Sequence, residues 1–244
     1  MRLGMKLIFA ASIALVLVLV SGRAASAATP ADDKEKAKEK VLERLNVAAA
    51  NFHSTSADFE FDTIETDPVP DTDVQKGVVY YDRKDNAFRM GVHITEHNKK
   101  PSAKAYTYIG GVFKLFEPGP NQVTTYGKAG KWESYVILGF GASGRDLEAK
   151  WEIKYLGSEP LSDGKNTVKT EILELVAKDP EVRKNLPKVT IWVDPDHAVS
   201  LKQIFYQSAT TSRVCHYSNF KMNESLPDDA FKFKTDRQTV YNNQ

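Results

Sequence analysis

From Ser56 to Met222 most of this chain is a succession of short stretches in which every second side chain is apolar, with few residues between one stretch and the next. The first, Ser56 to Thr66, alternates Ala57, Phe59 and Phe61 with Asp58, Glu60 and Asp62, the period of a strand with one dry and one wet face. The break Asp67-Pro68-Val69-Pro70-Asp71 ends it. Further strand-like runs occupy Gly77 to Tyr81, Ala87 to Ile94, Ala103 to Ile109, Val112 to Glu117 and Gln122 to Tyr126. Ile109-Gly110-Gly111-Val112 and Pro118-Gly119-Pro120-Asn121 are turns too short for a helical crossover, so the neighbours they join must run antiparallel. The pattern resumes over Trp151 to Leu156, Val168 to Val176, Lys188 to Val193, Val199 to Tyr206 and Arg213 to Met222, with Asp194-Pro195-Asp196 as a hairpin turn. The pattern predicts an α+β, mainly β chain of about 10 to 11 antiparallel strands, curled into a closed or half-closed barrel whose apolar inner faces enclose volume.

Helical spacing interrupts this pattern in a few places. Asp32 to His53 reads as one helix: Val41, Leu45, Ala48 and Phe52 form an apolar stripe that Leu42 and Ala49 widen, and so broad a stripe must lie on a sheet. Lys131 to Gly141 is apolar with glycines, and Arg145 to Lys150 follows with Ser143 as its N-cap. These read as short helices across a barrel mouth, and Asp179 to Asn185 is a further helical excursion.

The N-terminus constrains location. Arg2 and Lys6 precede an apolar run from Leu7 to Val20, and Ala25-Ser26-Ala27 supplies a small-x-small cleavage pattern. The run is shorter than the roughly 20 residues a spanning helix needs. Residues 1–27 are therefore expected to be a signal peptide and 28–244 a single mature domain, soluble and periplasmic. No cysteine near the cut allows lipid attachment, and no Arg-Arg pair marks export of a prefolded cofactor protein, so no cofactor is expected. Without the three basic residues of the signal, 30 Lys and Arg face 32 Asp and Glu, a net charge of about −2. That balance is ill suited to binding nucleic acid. Cys215 is the only cysteine and sits in a strand-like run, where it reads as a small buried filler.

Two motifs invite chemistry that their context does not support. His93-Ile94-Thr95-Glu96-His97 spells the H-x-x-E-H of zinc proteases, but that site needs both histidines on one helix face. In a strand they stand about 13 Å apart, too far for one metal. Gly139-Phe140-Gly141-Ala142-Ser143-Gly144 spells G-x-G-x-x-G, but dinucleotide binding requires a βαβ unit and the surroundings read as hairpins. No G-x-S-x-G is present, and the sequence asks for no enzyme.

Several segments carry a family resemblance. They are Tyr81-Asp82-Arg83-Lys84-Asp85-Asn86-Ala87-Phe88-Arg89, Gly110 to Phe116 with Asn121-Gln122-Val123, Ile191-Trp192-Val193-Asp194, Tyr217 to Asn223, and Leu226 to Phe233. With the export signal, the N-terminal helix and the strand Asn51 to Thr66 ahead of them, they resemble the LolA-type periplasmic lipoprotein carriers. The resemblance implies a half-open antiparallel barrel with helices as a lid over an apolar cavity. It also implies a monomeric carrier that takes acylated lipoproteins or other lipids from an inner-membrane donor complex toward an outer-membrane acceptor. By the same resemblance Arg83 is the lid latch and Phe88 an apolar wall residue, while the final segments form the closing hairpin and strand. The chain departs from the family in Lys84, where proline is usual, and in the Asp179 to Asn185 excursion. The alternative the family offers is a lipid- or lipoprotein-sensing regulatory protein of the envelope.

Phe59, Phe61, Phe88, Tyr106, Tyr108, Phe113, Leu115, Trp132 and Ile137 include more large apolar side chains than one half-wet sheet can hide against itself. They are the expected lining of the cavity.

Overall fold

The computed structural model describes residues 30–84, 87–128, 130, 133–136 and 138–244. The signal-like segment, Trp132 and Ile137 lie outside the described residues. Helix α1 (Pro30–Ala50) leads into strands β1 (Ser54–Glu65), β2 (Asp71–Lys84), β3 (Ala87–His97), β4 (Lys100–Pro101), β5 (Ala105–Ile109), β6 (Val112–Glu117) and β7 (Gln122–Lys128). Two short helices follow, α2 (Glu133–Val136) and α3 (Gly144–Lys150). Then come β8 (Trp151–Ser162), β9 (Thr167–Ala177), α4 (Pro180–Asn185), β10 (Lys188–Asp194), β11 (Val199–Tyr206), β12 (Thr211–Met222) and β13 (Val240–Asn243).

All the strands belong to one curved sheet in the order β13-β7-β6-β5-β3-β2-β1-β12-β11-β10-β9-β8, with β4 a short addition to β3. Its end strands β13 and β8 do not pair with each other, so the barrel is half open. The sequence pattern predicts 10 to 11 antiparallel strands, whereas the described residues form 13 and one pairing is parallel, β13 on β7. Two-residue β4 and four-residue β13 are too short to show a period. Strand β2 begins at Asp71 and not at Gly77, because Asp73 and Gln75 place polar groups on the face that Val79 and Tyr81 keep apolar.

The concave face is divided between two clusters. On β8 to β11, Leu173, Leu175, Val189, Ile191 and Phe205 pack with Val41, Leu42, Leu45, Ala48 and Ala49 of α1, Leu147 of α3 and Val182 of α4. Both excursions start on side-chain caps. The Ser143 side chain accepts from the Asp146 N–H while Asp146 answers the Ser143 N–H, and Asp179 accepts from the amides of Glu181 and Val182. On β1, β2, β3, β5 and β12, Phe59, Val79, Tyr81, Met90, Ile94, Tyr108 and Cys215 form the second cluster with Phe52 and Phe140.

The convex face is crossed by residues 226–239, which run as turns and coil and not as the closing strand the resemblance implied. Ala230 is fully buried against Gly91, and Phe233 stacks on Phe116 at 5.7 Å in a small cluster with Ala105 and Val123. Asn121 donates to Asp236 at 2.9 Å and accepts from Thr239 at 2.9 Å, delivering the chain to β7.

Candidate functional site

The second cluster does not fill the space it surrounds. Beside it lies an open cavity of about 450 Å³. Alternate residues of neighbouring strands line it because the pleat sends every second side chain to the same face: Phe59, Phe61 and Thr63 from β1, Met90, Val92 and Ile94 from β3, and Arg213, Cys215 and Tyr217 from β12. Tyr106 and Phe113 close one side, Gln203 and Phe205 the other, and Tyr135, Val136 and Leu138 from the α2 segment lie across it.

Of the residues expected from sequence, Phe59, Phe61, Tyr106 and Phe113 meet at this cavity. Tyr108 is 1% exposed within the adjoining packed cluster, and Leu115 is half-buried opposite Tyr106 without lining the space. Phe88 stands elsewhere: its ring lies under the Arg83 guanidinium at 4.7 Å and 6.3 Å from Phe52. Sequence reasoning did not name Val79, Tyr81, Met90, Val92, Ile94, Gln203, Phe205, Arg213, Cys215 or Tyr217 as lining. The signal was present for the β3 group, since Met90, Val92 and Ile94 share a parity. For Gln203 and Arg213 there was none, because a polar side chain at an inward position reads as a break in the pattern.

Polar bonds hold the crossing segment to the sheet. Arg83 donates from Nη1 to the Ala49 carbonyl at 3.1 Å and from Nη2 to the Gly141 carbonyl at 3.0 Å, joining the end of α1 to the segment after α2. Gln203 donates to the Leu138 carbonyl at 2.8 Å and accepts from the Tyr217 hydroxyl at 3.1 Å. Backbone bonds from Gly141 to Ala198 (2.7 Å) and from Ser200 to Gly139 (2.8 Å) complete the attachment. Phe140, with no exposed surface, stacks on Tyr81 at 4.0 Å and meets Tyr217 edge-on at 4.9 Å.

The glycines of G-x-G-x-x-G are explained by this packing. A Cβ on Gly139 would lie 2.3 Å from the Gln203 amide, on Gly141 2.5 Å from the Phe52 ring and on Gly144 2.3 Å from the Leu42 carbonyl. Gly139 and Gly141 also adopt positive φ, +80° and +68°. The loop is packed against protein where a nucleotide loop would face pyrophosphate.

The histidines of H-x-x-E-H lie on β3 and not on a helix. His93 packs edge-on against Tyr80 at 5.3 Å on the convex face, and His97 is held by Asp73 at 2.5 Å. Among the described residues no group of three or more His, Cys, Asp or Glu is placed to hold a metal ion. Burial pushes the Cys215 thiol up to about 12 and raises the Tyr81 and Tyr217 phenols well above their ordinary range, so these three groups keep their protons.

No protein-family model matches the chain, and no curated protein matches its sequence. Among solved structures it is similar to MucB, with 13% identity, a TM-score of 0.50 and coverage of 84% of this chain. It spans 66% of MucB's length. An uncharacterized conserved protein from Thermus thermophilus has 9% identity and a TM-score of 0.53, covering 85% of this chain and 99% of that one. A LolA superfamily protein from Nitrosomonas europaea has 18% identity and a TM-score of 0.40, covering 80% of this chain and 97% of the other. At these identities the likeness to MucB and to the Thermus protein is one of fold alone.

Proposed function

We propose that this chain is an exported, non-enzymatic carrier that takes an acyl chain into the concave cavity and delivers it across the periplasm from an inner-membrane donor toward an outer-membrane acceptor. The observation that carries the reading is the open, largely apolar cavity under a segment fastened to the sheet by the buried Phe140 ring and by hydrogen bonds from Arg83 and Gln203. Each methylene moved from water into such a space contributes about 0.8 kcal/mol, so an acylated cargo that water will not carry alone gains a soluble form. Arg83 is the latch of this device, since its two bonds end on the two segments that must separate if the mouth is to widen. Release needs no energy source of the carrier's own if the acceptor binds the cargo more tightly.

A fluorescent fatty acid titrated into the mature protein tests this. Wild type binds with saturable enhancement, and Phe113→Glu, which sets a carboxylate in the half-buried wall, weakens binding at least tenfold. A well-folded wild type that takes up no fatty acid overturns the reading.

A further inference from the structure

Besides the tyrosine hydroxyls and Gln203, which is bonded to the Leu138 carbonyl and the Tyr217 hydroxyl, the polar side chains of the cavity are Thr63, Gln75 and Arg213, gathered at one end. Thr63 and Arg213 face each other directly in the β1–β12 ladder, and Gln75 sits opposite Phe61, the next inward residue of β1. All three line the cavity. The Arg213 guanidinium carbon stands 5.9 Å from the Phe61 ring centroid. The Arg213 charge is felt by the phenols of both Tyr106 and Tyr135, which come from opposite sides of the space. The Arg213 Nε is buried and without a hydrogen-bond partner, and among the described residues no carboxylate forms an ion pair with this side chain. Asp73, at the same end, is already taken: its carboxylate receives Gln75 at 3.3 Å, Asn98 at 3.2 Å and His97 at 2.5 Å.

A guanidinium set among aromatic rings, with no carboxylate of the described residues paired to it, is prepared for an anion that arrives with the ligand. We propose that the cavity takes a single acyl chain bearing a terminal anionic group, with Arg213 binding the anion and Thr63 and Gln75 completing its hydrogen bonds. The volume agrees. A methylene occupies about as much space as a water molecule in the liquid, roughly 30 Å³, so the cavity as it stands holds about 15 carbons, the length of one chain. The lipid end of a triacylated lipoprotein presents esters and amides, which bring no charge to meet Arg213. This inference rests on the carrier reading above and narrows it to the class of lipid.

The test compares oleate, oleoyl lysophosphatidic acid and uncharged oleyl alcohol, which share a chain, in binding to wild type, Arg213→Leu and Arg213→Lys. In wild type at least one of the anions binds tenfold or more tighter than the alcohol, and the tighter of the two identifies carboxylate or phosphate as the natural head group. Arg213→Leu brings all three affinities within about twofold while the alcohol still binds, and Arg213→Lys keeps most of the preference. Equal wild-type affinities, or a preference that survives in Arg213→Leu, overturn the head-group assignment and leave the carrier standing. Failure of all three lipids to bind wild type overturns both. If Arg213→Leu loses alcohol binding too, Arg213→Lys decides: preference retained supports the assignment, preference lost refutes it.

Discussion

Arg83 and Cys215 show how single residues divide labour in this concave face. Arg83 spends its charge on two backbone carbonyls, those of Ala49 and Gly141, where an exposed arginine would remain in water. Bonds from a charged donor contribute about 1.5 to 3 kcal/mol each before solvent screening. With the guanidinium only half-buried, Arg83→Leu should cost about 2 kcal/mol in all, lowering the melting temperature by roughly 4 to 8 °C. Calorimetry of the variant checks this, and an unchanged transition would leave the latch without energetic weight. Cys215 is 2% exposed, and burial pushes its thiol from an ordinary value of 9.0 up to about 12. A thiol-specific reagent at pH 8 should leave the native protein unmodified and titrate one thiol in urea. Because the folded state holds this proton more tightly than the unfolded chain, its contribution to stability is intact below about pH 9. It is lost as pH rises from there toward 12, so urea midpoints should fall across that window.

At the scale of elements, the strap over the convex face depends on a hydrogen atom standing where most residues have a side chain. A Cβ on Gly91 would lie 1.8 Å from the Ala230 carbonyl oxygen, so Gly91→Val should lift residues 226–239 off the sheet. Exposing Phe233 and its partners Phe116 and Val123 costs roughly 3 kcal/mol. Limited proteolysis should then cut within the strap while lipid binding on the opposite face persists; resistance equal to wild type would show that the strap is held elsewhere. This element was the least legible in the sequence. Its segment has neither period, and what fixes it is a glycine 139 residues away in sequence from the alanine it meets. The elements set by local pattern were legible: the α1 stripe, the Ser143 and Asp179 caps and nearly every hairpin follow from the residues alone. The cavity was half legible. Parity identifies Phe59, Phe61, Tyr106 and Phe113 as inward, but not which inward positions meet partners and which meet empty space, because that depends on how the sheet curls. Phe88 and Tyr108 are inward-looking residues whose partners, Phe52 with Arg83 and the packed second cluster, come from distant parts of the chain.

For the molecule as a whole, the proposed carriage requires an entrance, and the bonds across the concave face suggest a place for it to be tested. Residues 138–141 are tied down by Arg83, Gln203 and two backbone bonds, while α2 meets the sheet through a longer bond from the Tyr81 hydroxyl to the Val136 carbonyl at 3.4 Å and through the Tyr135 ring on Phe205. A four-residue helix has no free-standing stability, so α2 is the part that opens most cheaply. Hydrogen exchange should therefore be at least tenfold faster at the α2 amides than at Gly141 and Ser200, whose amides bond to Ala198 and Gly139. Oleate present at 100 times its dissociation constant should add about 2.7 kcal/mol of stability, raising the melting temperature by roughly 5 to 10 °C. It should also slow exchange across α2, because a chain in the cavity would lie against Tyr135 and Val136. A melting shift with α2 exchange unchanged would mean that lipid enters along the open sheet edge between β13 and β8. In that case the Arg83 bonds are structural, and donor and acceptor would address the edge of the barrel and not its lid.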